Sequence, residues 1–181
     1  MKLRFFLLAA GSLFSPLSQA QTEEARTLQV EGGASIPYVV RVYPADAQFA
    51  QPTKDLAPKS ALDTARLLNL HLTAGDLEEA ALLSNAPRRR FEELRNFQEA
   101  HGEEEFKRVF AEYFAPENRL VAEIVIGQHS LLVWDQKRAS RIAGQFFVNV
   151  DGRCLVDDVP SDTRTRLRWI LEAYRNGKLA R

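Results

Sequence analysis

Residues 120–157 read LVAEIVIGQHSLLVWDQKRASRIAGQFFVNVDGRCLVD. Four runs rich in β-branched and aromatic residues, 120–126, 129–136, 145–150 and 153–157, are parted by Gly127-Gln128, by the polar stretch 137–141 and by Asp151-Gly152. An Asp-Gly pair between two such runs predicts a tight hairpin turn, because both central positions of that turn need positive φ. The segment thus predicts two antiparallel hairpins. By alternation Leu120, Ala122, Ile124 and Ile126 share one face, opposite Val121, Glu123 and Val125. Phe146, Val148 and Val150 likewise oppose Gln145, Phe147 and Asn149. A uniformly apolar face backed by a mixed one predicts a sheet covered on one side.

Helical patterns flank these strands. Ala61, Ala65, Leu68 and Leu72 line one face of a helix over 60–73, with Ser60 as its cap and Asp63 three residues on. Gly75-Asp76 ends it and starts a short helix over 77–83. Pro87 suits the first turn of a third helix, running to about His101 with Phe91, Leu94 and Phe97. Phe106, Val109, Phe110 and Tyr113 repeat at helical spacing before Pro116. Pro160-Ser161 opens a last helix, in which Leu167, Ile170, Leu171 and Tyr174 share a face and Gly177 is the stop. Helices, then hairpins, then a helix is an α+β order and not an alternating βαβ one. Residues 21–57 read as an N-terminal extension with short strands. Pro37 and Pro44 bracket its strand-forming run 38–43, which suits a short or edge strand. Residues 58–181 read as one domain.

The chain has 181 residues, with 24 Lys+Arg against 24 Asp+Glu. Its 45% hydrophobic and 27% charged content is that of a globular domain and excludes fibrous, disordered and disulfide-scaffold classes. The balanced charge speaks against a nucleic-acid partner, which calls for a basic excess. Lys2 and Arg4 precede the apolar run 5–10, and Ser18-Gln19-Ala20 sets small residues where a signal peptidase reads. Residues 1–20 therefore predict a bacterial-type signal peptide cleaved after Ala20, and a periplasmic or secreted mature chain with no stable membrane insertion. Cys154 is the one cysteine and reads as a small buried hydrophobe.

The stretch 61–83, ALDTARLLNLHLTAGDLEEAALL, with its Gly75-Asp76 and Ala80-Ala81 pairs, resembles the opening of nuclear-transport-factor-2-like domains of the cystatin-like cone superfamily. The resemblance spans about residues 58–158. It implies N-terminal helices packed in a curved antiparallel sheet, here with an extra C-terminal helix. It also implies a family in which exported bacterial members serve as binding modules or as enzymes.

Zinc spacing, a P-loop, a nucleophile elbow and a dinucleotide fingerprint are not found in the sequence, so no cofactor or metal is expected. Catalysis in a cone would need an inward acid or base. Glu123 and Asp135 are the strand candidates, with His71 or His129 as partner. Against this, Glu123 fits equally a solvated pair with a cross-strand cation. Arg88-Arg89-Arg90 sits in a first helical turn, where the dipole favours anions. That placement suits an anion or an acidic partner, or else pairing with Glu92, Glu93 or Asp157-Asp158. Trp169 lies off the apolar stripe of the last helix, at a core edge or a contact for another chain. The arginines at 164, 166, 168 and 175 read as a solvated face. The leading expectation is an exported non-enzymatic module that binds a small molecule or another protein through Arg88–Arg90 or Trp169. The alternatives are a cofactor-free isomerase, dehydratase or cyclase, and a protein inhibitor or immunity factor.

Overall fold

The computed structural model describes residues 22–30, 33, 35–43 and 56–179. The signal peptide expected at residues 1–20, with its cleavage point, lies outside the described residues, as does most of the connector after Val42. The fold is α+β. Strands β1 (Thr22–Gln29) and β2 (Ser35–Val42) come first. Helices α1 (Ala61–Ala74), α2 (Leu77–Leu82), α3 (Pro87–His101) and α4 (Glu103–Tyr113) follow. Strands β3 (Arg119–Ile126), β4 (His129–Gln136), β5 (Arg141–Val150) and β6 (Arg153–Val156) then lead into α5 (Asp162–Arg175).

The six strands form one antiparallel sheet in chain order. Residues 22–42 are thus part of the sheet, since β2 pairs with β3 from Val39↔Val125 to Val42↔Ala122. The expectation of a short or edge strand around Pro37 is corrected, because β2 is an eight-residue strand lying between β1 and β3. Pro37 pairs with Thr27 of β1 and precedes the β3 register, so its missing N–H falls where β2 has a neighbour on one side.

Both faces of the sheet are covered, which corrects the one-sided reading. Leu132 and Trp134 of β4 pack with α1 to α4, in a cluster with Leu68, Leu72, Leu94 and Phe106. Leu131 and Val133 of the same strand pack with Leu167, Ile170, Leu171 and Tyr174 of α5. Successive side chains point to opposite faces, so the helices form two layers about the sheet. The facing of β3 also differs from simple alternation. A bulge between Leu120 and Ala122 puts Val121 and Ala122 both on the α5 side and moves Leu120 to the α1 side. Strand β5 starts at Arg141, earlier than the sequence suggests, because Arg141–Gly144 continue the ladder against Val133–Gln136.

The helix ends behave as the sequence predicts. Ser60 Oγ accepts from Asp63 N at 3.1 Å and donates to Asp63 Oδ2 at 2.7 Å. Gly75 closes α1 with φ 81°, and the Asp76 carboxylate caps α2. The β5–β6 turn has Asp151 at φ 50° and Gly152 at φ 80°. No described helix is long and apolar enough to cross a membrane.

Candidate functional site

Strand β6 is short and pairs on one side with Phe147–Val150 of β5. Its outer edge is closed by the α2–α3 connector. Val156 N donates to Leu83 O at 2.7 Å, Asn85 N donates to Val156 O at 3.0 Å, and Ser84 bridges Val156 in parallel. Past Val156 the chain turns toward α5, and a notch opens beside Gly144–Phe146 of β5. This half-open cleft of about 300 Å³ is bounded by Arg90 of α3, Gln145 and Phe146 of β5, Asp157, Asp158 and Arg164 of α5.

Two adjacent carboxylates are buried in its wall, and each is held by several partners. Asp157 Oδ1 accepts from Asn85 Nδ2 at 3.0 Å, and its Oδ2 lies 3.0 Å from His129 Nδ1. A carboxylate only accepts, so the imidazole donates there. Asp158 Oδ2 accepts from Ser84 Oγ at 2.7 Å, and Asn85 Oδ1 accepts from Asp158 N at 2.8 Å. Arg89 donates to the Asp158 carbonyl oxygen. Arg90 Nε stands 3.2 Å from Asp158 Oδ2, within ion-pair reach but not aligned for a hydrogen bond. Buried charges persist where such partners compensate their lost hydration.

The opposite wall is different. The Arg164 guanidinium lies 5.4 Å from the Phe146 ring centroid, and its Nε is buried without a hydrogen-bond partner. On the α1 side of the sheet, Gln145 Oε1 accepts from Trp134 Nε1 at 3.0 Å.

The residues singled out in the sequence are dispersed over the molecule. Of the arginine triplet, only Arg90 reaches the cleft. The Arg88 side chain is 94% exposed and 3.3 Å from Glu92, and Arg89 also approaches Glu93. Pairing with Asp158, the intramolecular option, is what the structure shows for Arg89 and Arg90. His129 joins the site through Asp157. His71 Nδ1 instead faces Asp76 Oδ2 at 3.4 Å. Asp135 is paired with Lys137 Nζ at 2.7 Å. Glu123 accepts from Arg41 Nη1 at 3.2 Å, and the same guanidinium reaches Glu23 at 3.0 Å, a three-strand ion ladder. Glu123 and Asp135 also fall on opposite faces of the sheet, as the β3 bulge and strand alternation require. The four catalytic candidates therefore do not share one cavity. Trp169 is 45% exposed and sits with Leu28 and Val30 in a separate shallow groove between α5 and β1.

Ser84, Asn85 and Arg164 carry the cleft and were not singled out in the sequence as site residues. Ser84 and Asn85 sit in an ordinary helix connector. Arg164, in the first turn of α5, shares the cation-at-a-helix-start signal of the triplet. Cys154 lies by the Glu123–Arg41 pair, and burial pushes its thiol up to about 11. Among the described residues no group of three or more His, Cys, Asp and Glu gathers as a metal centre would need. Comparison with protein-family models, curated proteins and solved structures finds no match to the chain.

Proposed function

We propose that the chain is an exported, non-enzymatic binding module and that the notch beside β5 is where its ligand sits. One observation carries this reading. The Asp157 carboxylate is tied to Asn85 and His129 and Asp158 Oδ2 to Ser84, in a half-open cleft that Arg90, Phe146 and Arg164 also line. A general base needs a free lone pair within reach of substrate. A binding site needs fixed walls and a few unspent polar groups. Residues 1–20 support export. The kinship with nuclear-transport-factor-2-like cone domains draws support from α1 ending at Gly75 and from its packing against Leu132 and Trp134.

The test uses the mature protein, from Gln21 onward, incubated with the small-molecule fraction of a periplasmic extract. After gel filtration, native mass spectrometry is expected to show an adduct, released on denaturation with its mass unchanged. Recovery of a chemically altered molecule, or of no adduct, overturns the reading. A protein partner is the second reading, supported by the exposed Trp169 beside Leu28 and Val30, since tryptophan is enriched at interface anchors.

A further inference from the structure

We infer that the mature protein associates with a second copy of itself through strand β1. The two strands pair antiparallel about a twofold axis at Ala25, so that the sheet runs on from one chain into the other. This goes beyond the ligand reading and uses the opposite end of the sheet from the notch.

The two edges of the sheet are built differently. The β6 edge is four residues long and is closed by the α2–α3 connector. The β1 edge is eight residues long, and among the described residues no backbone group bonds to its outer side. It also lacks the devices that blunt an edge. TEEARTLQ holds neither proline nor lysine, and its register against β2 runs from Thr22↔Val42 to Gln29↔Ser35 without a bulge. On the export reading the mature chain starts at Gln21, next to Thr22, and brings no leading segment to fold over this edge.

The phase of the ladder shows which backbone groups are unspent. Pro37 has no N–H, so its pair with Thr27 is one of the non-hydrogen-bonded pairs between β1 and β2. Such pairs alternate with bonded ones, so Glu23, Ala25 and Thr27 turn N–H and C=O away from β2, toward the open side.

A twofold axis sets the same strand against itself, and charge then selects the register. Centred on Ala25, Glu24 of each chain opposes Arg26 of the other, on the face that carries Leu28. Centred on Glu24 or on Arg26, like charges meet at the axis. Centred on Thr27, Glu24 opposes Val30 and Arg26 opposes Leu28, and neither charge gains a partner. Within one chain Arg26 Nε donates to Glu24 at 2.7 Å on the exposed surface, and a second copy offers each group the same chemistry across the axis. A ladder over Thr22–Leu28 buries little apolar area, so the dimer is micromolar and reversible.

The experiment is sedimentation velocity of the mature protein over a micromolar concentration series, with the folding of each variant checked by near-ultraviolet circular dichroism. A monomer–dimer equilibrium is expected. Glu24→Arg and Arg26→Glu, each alone, set like charges opposite one another and should weaken self-association at least about tenfold. An equimolar mixture of the two restores both opposite-charge pairs and should associate as the wild type does. Ala25→Pro removes the N–H at the axis, outside the β1–β2 bonds, and should give a monomer. It serves if a charge variant does not fold. Wild-type protein that stays monomeric throughout the series overturns the inference. So does a dimer that the β1 variants leave intact, or that only Trp169→Ser abolishes, since the contact then lies elsewhere. A mixture no stronger than its components removes the pairing at Ala25, and the inference with it.

Discussion

Gly144 has no room for a methyl group. A Cβ there would lie 2.6 Å from Leu171 Cδ2 and 2.9 Å from Leu131 Cδ1. It faces α5 through Leu171. Gly144→Ala is expected to cost about 1–3 kcal/mol, as overpacking does, in urea unfolding followed by circular dichroism. Cys154 gives a second expectation at this scale. Burial is the main cause of its raised pKa of about 11, so little thiolate exists at pH 8. Alkylation by iodoacetamide at pH 8 should be at least roughly a hundredfold slower in the native protein than in urea. Comparable rates would show that the β6 end opens freely. The buried-hydrophobe reading of Cys154 was legible because it is the one cysteine, set in a strand-like run without a histidine partner pattern. Arg164 was not legible. A cation on a helix looks the same in sequence whether its side chain stacks over Phe146 or extends into water.

The α2–α3 connector acts as a latch for the end of β6. Asn85 uses both ends of its amide, accepting from Asp158 N and donating to Asp157. Asn85→Ala should leave a buried carboxylate oxygen and a backbone N–H unpaired. The expected loss is about 2 kcal/mol, read as a lower urea midpoint with an unchanged slope. Retained stability would mean that water replaces the amide at no cost. The helices themselves were readable because their apolar spacing and caps are local properties, as Ser60, Asp63 and Gly75 show. The facing of β3 was not readable. A bulge has no fixed residue signature, and Val121 and Ala122 look like two ordinary members of an alternating strand.

The molecule is a sheet with helices on both sides, and each layer protects a different half of the strand side chains. Ending the chain after Pro160 would strip α5 from Ile36, Tyr38, Val40, Ile124 and Val133. The expected product is insoluble, or compact without fixed packing. Near-ultraviolet circular dichroism should then lose the signal of buried Trp134 while far-ultraviolet strand signal persists. A folded truncated protein would show that the α1 side suffices. Two-sided cover did leave a mark in the sequence. Leu131, Leu132, Val133 and Trp134 are consecutive and apolar, as in a strand buried on both faces. Alternation in the neighbouring strands obscured it.

The insertion of four helices between β2 and β3 has a consequence for how the chain is made. Val42 finds Ala122 only about 80 residues later, a long loop to close. The first hairpin leaves the ribosome, and on the export reading the translocation pore, well before its neighbour exists. Its apolar row Ile36, Tyr38 and Val40 must wait for both β3 and α5. Nascent chains of this topology are therefore open to mispairing with one another, and holding chaperones should bind most tightly to fragments ending before Arg119.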